Sequence, residues 1–526
     1  MKNIKLKNKF FGLAMIFAML MTSCSEDFLD VTLDDTVNAE TFYGSEADVK
    51  LGVAGVYEML TDVNSFQRYQ IIGQSLWTDD MWKQSFIGPA FDYDGVAIGT
   101  HSSVSKPIVD MWNYFYTMIR RANDFLEGVG NAEANGSLTM DSALLQRYKN
   151  EIRFLRAYAY QELVFLYGDV PFILTSPGPE ELKTIGRSPR LEVIDFVISE
   201  LEDVSTALPA VYTGEDVGRI TKGAASALLG RLQLFEQDYV ASIAASQEVM
   251  SNGQYDLETN FGDIFLLSNE SNEEVIFDAH HLQVIYTNWI AQYTLPSVLG
   301  GWGGGTIPSK NLVDAFEMQA TGLPITDPTS GYDSNNPYDG RDPRLSKTVA
   351  YPGAVVDGET FDGSGTATGF YNVKYFDPEV RAIGAPGVSQ NYILIRFAEV
   401  LLNFAEASNE LSGPSSDVYD AINRIRNRAG MPDLPVGLSQ SEMRERIRNE
   451  RRVELALEGD RFYSIRRWGI AENIVPQDIL GVDEQGNTIV ASSQRVFDPG
   501  KDYLWPIPQS QIDLTEPGVT TQNPGW

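Results

Sequence analysis

"TKGAASALLGRLQLFEQDYVASIAASQEVM", residues 221–250, is the stretch on which the fold turns. Two runs of helical periodicity are separated by a polar turn near Gln237-Asp238. So short a break sends the second helix back antiparallel to the first. Two closely packed helices need small side chains where they cross, and Ala224, Ala225, Gly230, Ser242 and Ala245 supply them.

The segment is similar to a tetratricopeptide repeat. Leu229-Gly230 match the repeat's Leu-Gly pair, and Tyr239 and Ser242 fall at the expected offsets, while Gln233 and Val249 depart from the pattern. A second pair follows in "FAEVLLNFAEASNEL" and "DVYDAINRIRNRAG", joined by the longer turn "SGPSS". The two pairs predict a mainly α, tetratricopeptide-repeat-like scaffold with little strand.

Helical patterns continue outward from these pairs. In "EIRFLRAYAYQELVFLYGDVPFI", Ile152, Leu155, Tyr158 and Ala159 share a face, and Gly168 and Pro171 end the helix. In "RSPRLEVIDFVISELEDV", Ser188 is expected to cap a helix with Pro189 in its first turn. In "SEMRERIRNERRVELALEG", Ser441 is expected to cap and Gly459 to stop. Arg446 and Glu450 sit one turn apart there, as do Glu454 and Glu458. The second is a like-charge pair that needs cations nearby, with Arg461, Arg466 and Arg467 as candidates, so a structural charge network between packed helices is expected.

Residues 251–390 differ, being rich in Gly, Pro, Asn and Tyr, with loops at "GGWGGG" (300–305) and "DSNNPYDGRDP" (333–343). Long irregular segments rich in aromatics, mounted on a rigid scaffold, read as functional surface. The expected organisation is a helical region over 45–250, a loop-rich ligand face over 251–390 and a C-terminal helical region over 391–526.

The chain begins with Lys2, Lys5, Lys7 and Lys9, then the apolar run "FFGLAMIFAMLM" and "TS". This is the pattern of a secretory signal peptide over 1–23. The run is shorter than the roughly 20 residues a spanning helix needs, and no later run approaches that length. Cys24 is the only cysteine of 526 residues, which excludes an intrachain disulfide. "MTSC" resembles a bacterial lipobox, with Met21 where Leu is usual, and makes Cys24 the expected lipidation site at the head of a polar, acidic tether over 24–44. Acyl chains add about 0.8 kcal/mol of membrane affinity per buried methylene, so two or three anchor firmly.

Hydrophobic residues at 43% and aromatics at 11% describe a globular chain. The net charge of −32 becomes about −36 once the leader and its four lysines leave. Such a surface repels phosphate backbones, so nucleic acid is excluded as an expected partner, and neutral ligands suit it better than anionic ones.

Several phrases together resemble the SusD/RagB family of outer-membrane lipoproteins of Bacteroidota. They are "CSEDFLD" after the leader, "IRRANDFL" (119–126), "RFLRAYAYQELVFLYGDVPFI" (153–173), "TKGAASALLGRLQLF" (221–235), "NEEVIF", "DPRL", "LIRFAEVLLNFAEA", "INRIRNRAG", "ERRVELALEGDRFYSIRRWG" and "YLWPIPQSQIDL" before "TQNPGW". They keep the family's order from Cys24 to Trp526. The resemblance implies tetratricopeptide-like helix pairs on one side and a loop-rich ligand face on the other. It implies a non-catalytic cell-surface binder of oligosaccharides, acting as the lid of a SusC-like TonB-dependent transporter and anchored by lipid in the outer membrane. It also implies that Glu26 and Asp27 belong to a surface-export signal.

Sugar rings offer an apolar face, so glycan sites use flat aromatic side chains beside hydrogen-bonding groups. Trp77 and Trp82 in "SLWTDDMWKQSF", and Trp289 and Trp302 in "YTNWIAQYTLPSVLGGWGG", fall where the resemblance implies ligand contacts. Asp79, Asp80 and Gln84 are candidate hydroxyl partners, and Phe86, Tyr93, Tyr286 and Tyr293 further aromatic candidates. Trp112, Trp468 and Trp505 lie in scaffold phrases and read as packing.

Signatures of nucleophilic hydrolases, zinc proteases, phosphate-binding loops and dinucleotide folds are absent from the sequence, so no catalytic residue is expected. His280 and His281 are adjacent, hence on opposite faces of a strand, a poor metal pair. Asp79-Asp80 as glycosidase acids must be weighed against 72 acids in the chain. No cofactor is expected. Calcium through Asp333, Asn335 and Asp339 is the one metal alternative, against an ordinary solvated turn. The competing functional readings are the same lid role for peptides, a divergent polysaccharide hydrolase, and a helical interaction scaffold without a small ligand.

Overall fold

The computed structural model describes residues 42–84, 93–383 and 388–526. The leader, Cys24, Glu26, Asp27 and Phe86 lie outside the described residues. The long helices are α1 (Glu46–Tyr57), α2 (Lys106–Ala134), α3 (Ser142–Tyr167), α4 (Arg190–Ala207), α5 (Lys222–Phe235), α6 (Tyr239–Ser251), α7 (Phe397–Ser412), α8 (Ser416–Arg428), α9 (Gln440–Glu454) and α10 (Asp460–Arg467). Strand is sparse and, among the described residues, pairs only in twos. Two of these ribbons matter for the ligand face. β1 (Met81–Lys83) runs antiparallel to β3 (Thr306–Pro308), and β2 (Val275–Ala279) antiparallel to β4 (Tyr392–Arg396).

α5 and α6 form the expected hairpin. Thr221 caps α5 by accepting from Ala224 N at 3.1 Å, and Asp238 caps α6 by accepting from Ala241 N at 3.1 Å. Gln237 takes a left-handed conformation (φ 62°) to turn the chain. At the crossing, a Cβ on Gly230 would stand 3.3 Å from Ser246 Oγ and 3.5 Å from Ala245 Cβ, and Ser242 Oγ donates to Gly230 O at 2.9 Å. The small residues are therefore what lets the two backbones approach. Arg231 carries the hairpin onto α7 through Glu399 at 2.7 Å and 2.6 Å. One hydrophobic core runs through both helical stretches, from Val49 in α1 to Ile507 near the C-terminus.

Two expected caps move. α4 begins at Arg190, with Pro189 in the cap position and Arg190 N donating to Asp169 Oδ1 at 2.8 Å, so Asp169 does the work expected of Ser188. α9 begins two residues early, because Ser439 and Glu442 form a reciprocal capping box that outcompetes Ser441. α9 then ends at Glu454, and Gly459 (φ 89°) starts α10.

The charge network is present but wired differently. Arg446 turns to Glu317 at 2.9 Å, while Glu450 receives Arg344 at 2.6 Å and Arg426 at 2.9 Å. Glu454 receives Arg344 at 2.8 Å, Arg396 at 2.5 Å and Arg428. Glu458 receives Lys374 at 2.5 Å and Arg396 at 2.7 Å. Of the expected cations, Arg467 pairs with Glu406, Arg461 with Asp79 at 3.0 Å, and Arg466 lies 3.7 Å over the Phe462 ring. Glu317, Glu406, Glu450, Glu454, Arg344, Arg396 and Arg426 are buried, so each of these charges depends on its partners.

Candidate glycan platform

The loop after β2 carries the aromatic cluster. Asn288 is fully buried and pins the loop, exchanging backbone bonds with Val388 (2.8 and 3.2 Å), donating from Nδ2 to Gln390 O at 2.7 Å and accepting from Ile290 N at 2.8 Å. A short helix, Ile290–Thr294, follows Trp289. The chain then turns through the glycines to Trp302, whose N–H donates to Gln292 O at 3.1 Å. A Cβ on Gly301 would meet Leu295 O at 2.0 Å and Ala291 O at 2.7 Å, so only glycine lets the loop close against the helix.

This closure brings three rings together. Trp289 and Trp302 meet edge to face at 5.1 Å and 78°, and Tyr293 meets Trp302 at 6.0 Å and 90°. Trp289 and Tyr293 lie 6.1 Å apart with their planes tilted by 32°. Trp302 is 45% exposed and Trp289 half-buried, so both offer ring surface. Tyr293 is buried and its hydroxyl accepts from Arg68 Nε at 3.1 Å, which makes it the buttress behind them.

The supports come from a segment that carried no sequence signal. Val63–Gln67 and Tyr69–Gly73 are π-helical, a wide winding often found at functional sites. Gln67 Oε1 accepts from Trp289 N at 2.9 Å, and its Nε2 donates to Thr287 O and Thr61 O, both at 2.9 Å. Trp289 Nε1 donates to Thr287 Oγ1 at 3.0 Å. Gln67 and Arg68 therefore set the position of Trp289 and Tyr293. Only their tertiary contacts identify them.

Beside the cluster, Leu282 and Tyr286 exchange backbone bonds (2.8 and 3.0 Å) and close a small hairpin. Tyr286, Val284 and Ile285 are exposed on it. Val284 holds φ 79°, a left-handed conformation unusual for a β-branched residue.

The first tryptophan group behaves otherwise, and those expectations are corrected. Trp77 is buried, stacked on Tyr93 at 5.4 Å, edge-on to Trp505 at 5.1 Å, with Nε1 donating to Tyr93 O at 3.0 Å. Trp82 on β1 is 8% exposed, opposite Ile307 of β3. Neither has an open face for stacking. Asp80 accepts two bonds from Arg452 (2.8 and 2.6 Å), and Asp79 is bonded by Arg452 at 2.7 Å and Arg461 at 3.0 Å. Both carboxylates are buried against these arginines, which reach only Oδ1 of Asp80 and, against the desolvation of burial, hold Asp79 at about 2. Gln84 reaches the opposite loop, donating to Gly365 O at 2.6 Å. The aromatic surface thus reduces to Trp289, Trp302 and Tyr286.

His280 is exposed and His281 buried, but both follow the end of β2 at Ala279 and neither lies on a strand. Asp333 accepts from Asn335 N at 2.9 Å and from Asn336 Nδ2 at 2.8 Å, bonds internal to its own turn. No group of three metal-ligating side chains occurs among the described residues, nor any helix long and apolar enough to cross a membrane.

Comparisons with known proteins agree on one family. Residues 273–526 match the profile described as the SusD family, and residues 27–234 that described as starch-binding associating with outer membrane. SusD-like protein P25 of Formosa agariphila is 30% identical over 88% of this chain and 91% of its own. SusD-like protein P2 of the same organism is 25% identical over 97% and 98%. A SusD-like protein of Bacteroides fragilis superposes with a TM-score of 0.80 at 29% identity, covering 94% of this chain and all of the other. A second from that organism, described as carbohydrate-binding, gives 0.79 at 26% identity over 90% and 99%.

Proposed function

The chain belongs to the SusD family, and from that premise we propose that it is a non-catalytic glycan-binding lipoprotein of the outer membrane, lipidated at Cys24 and surface-exposed, which captures oligosaccharide and delivers it as the lid of a SusC-like TonB-dependent transporter. The observation that carries the binding reading is the Trp289–Trp302 platform. Two rings at 78°, one of them 45% exposed and held by a glycine loop that only closes one way, make a preorganised stacking corner. Hydrogen bonds that Trp289 donates to Gln67 and Thr287 fix the platform before any ligand arrives. The family description of starch binding at the outer membrane and the carbohydrate-binding relative at 26% identity support the same ligand class. The non-catalytic reading is supported by Asp79 and Asp80: a glycosidase pair must reach its substrate, and these are sealed under Arg452 and Arg461.

Titration calorimetry of the mature chain against neutral, acidic and peptide ligands tests the proposal. Binding of a neutral oligosaccharide with no release of reducing ends is expected. Hydrolysis of the ligand overturns the non-catalytic reading, and a response to peptides alone overturns the glycan. The peptide reading has one observation in its favour, the exposed apolar hairpin of Leu282, Val284 and Ile285 beside the platform. The lid role predicts co-purification with a TonB-dependent transporter from outer membranes, and isolation of the chain alone under mild detergent argues against it.

A further inference from the structure

His281 stands directly behind the glycan platform. Its ring is 5% exposed, and its Nε2 lies 3.1 Å from Nε2 of Gln67, which is buried as well. Which of these two nitrogens presents the hydrogen follows from the other bonds of Gln67. The Trp289 N–H can only donate, so the Gln67 atom that meets it at 2.9 Å is the amide oxygen. The Thr61 and Thr287 carbonyls can only accept, so the atom 2.9 Å from each is the amide nitrogen. An NH₂ group therefore faces the imidazole, and such a group donates but does not accept. His281 Nε2 must be the acceptor, so the ring is neutral and carries its one proton on Nδ1.

A proton on Nε2 would set donor against donor across this contact. His281 is held from behind, because its backbone N–H donates to Asn391 Oδ1 at 3.0 Å and Asn391 Nδ2 donates to Asp278 Oδ2 at 3.0 Å. The displacement then falls on the Gln67 side chain, whose bonds reach Trp289 N and Thr287 O. Thr287 also receives the Trp289 indole at 3.0 Å, so moving Gln67 loosens Trp289 at its backbone and at its ring.

The charged groups that face His281 are Asp278 of β2 and the neighbouring His280. The π-helical segment and the residue before β4 present Gln67 and Asn391, both neutral. Burial pushes His281 down to about 4, against the pull of the Ala279 backbone and Asp278. Two neighbours titrate higher. Burial raises Glu270, which accepts from Asn391 N at 2.5 Å, to about 7, and Asp278 raises His280 against the desolvation of its own burial.

We infer that His281 is a positioning residue of the glycan platform: its neutral imidazole completes the seat of Gln67 and, through Gln67, of Trp289, and a proton on Nε2 unseats both and makes the platform release its ligand in acid. The ligand rests on the glycan reading above, whereas the coupling of His281 to Trp289 is a property of the free chain. Only molecules with a neutral ring bind, so the apparent Kd is the intrinsic Kd divided by the neutral fraction. It is expected to be flat between about pH 7.5 and 5.5, about twofold higher at pH 4 and about fourfold higher at pH 3.5.

The chain has three histidines, so NMR of the mature chain labelled with ¹³C,¹⁵N-histidine and ¹⁵N-tryptophan is the direct test. Single substitutions assign the three imidazoles and the Trp289 indole. The expected result is the Nδ1–H form of His281 at pH 7 and a Trp289 indole resonance that moves with the His281 titration. In His281→Gln, whose amide oxygen replaces the Nε2 acceptor without titrating, that movement is expected to vanish. His101, which burial also lowers to about 4, stacks on Trp526 at 4.8 Å, and His101→Gln is expected to leave the Trp289 curve unchanged. An Nε2–H form of His281 at pH 7 overturns the inference. So does a Trp289 resonance that ignores the His281 titration, or one that keeps its curve in His281→Gln. Calorimetry at pH 6.5 and 3.5 with malto-, laminari-, cello-, xylo- and mannohexaose then reads the ligand. A Kd that is the same at both pH values in the wild type overturns the inference, and the expected fourfold rise is absent from His281→Gln. Silence of every hexaose at pH 6.5 beside an intact Trp289 curve upholds the seat of Trp289 and overturns the glycan reading alone.

Discussion

Replacing Trp302 by alanine tests the platform most directly. An indole buries roughly 150–250 Å² when fully covered. The 45% of Trp302 that is exposed therefore corresponds to about 100 Å² that a sugar face can cover. At about 25 cal/mol per Å² this is about 2.5 kcal/mol of gross binding energy, close to a 70-fold change in Kd. Ordering costs lower the net figure, so the expected loss in Trp302→Ala is between about 10-fold and 70-fold. Trp302→Phe, which keeps a smaller ring on the same loop, is expected to fall between the two. Titration calorimetry with a neutral hexaose bound by the wild type reads the change, and a thermal melt controls for folding. The substitution removes two edge-to-face ring contacts worth about 0.5–1.5 kcal/mol each, so the Tm is expected to fall by only a few degrees. Affinity within about threefold of wild type in a folded Trp302→Ala chain would rule out Trp302 as a stacking platform, because the energy assigned to the ring would then come from elsewhere.

Three further outcomes follow from the same structure. Glu454→Gln removes the charge shared by Arg344, Arg396 and Arg428, and breaking a buried pair from one side costs about 3–5 kcal/mol, so denaturant unfolding should show a loss of that order in the free energy of unfolding. Glu406 is held at about 2, against the desolvation of its burial, by Arg467, Arg451 and the Trp468 indole, well below the ordinary glutamate value. Its stabilisation, on the order of 3 kcal/mol, is therefore complete above about pH 4.5 and is lost as pH falls through 4 towards 2; Glu406→Gln should flatten that part of the stability curve, and an unchanged acid limb argues against the pairing. Cys24→Ala should abolish lipid labelling and release the chain from the membrane fraction, whereas retention by an unlabelled chain would count against the anchor.

The helical scaffold was legible because its signals are local. The α5–α6 hairpin is written in residues three and four apart and in the small side chains at the crossing, and Gly230 and Ser242 meet as their spacing implies. The glycine loop around Trp302 was equally readable as an exposed irregular segment. Cap positions were less so, because Ser188 competes with Asp169 of an earlier turn, and Ser441 with a box that Glu442 completes for Ser439.

Local patterns along the chain are enough to specify a leader-like start, a single cysteine after it, a mainly α scaffold of helix pairs, and an aromatic loop region between them. Which tryptophans are surface and which are core depends on the packing of distant segments. Trp77 and Trp302 are the same residue type in comparably polar contexts, yet Tyr93, Phe462 and Trp505 enclose the first, while the glycines hold the second open at the surface. The same is true of Glu454, whose partners Arg344, Arg396 and Arg428 arrive from other segments, and of Gln67, which meets Trp289 across the fold. Helix formation answers to neighbours within one turn. Burial, ion pairing and the open face of a ring depend on which distant segments pack there, and that is settled only when the whole core assembles.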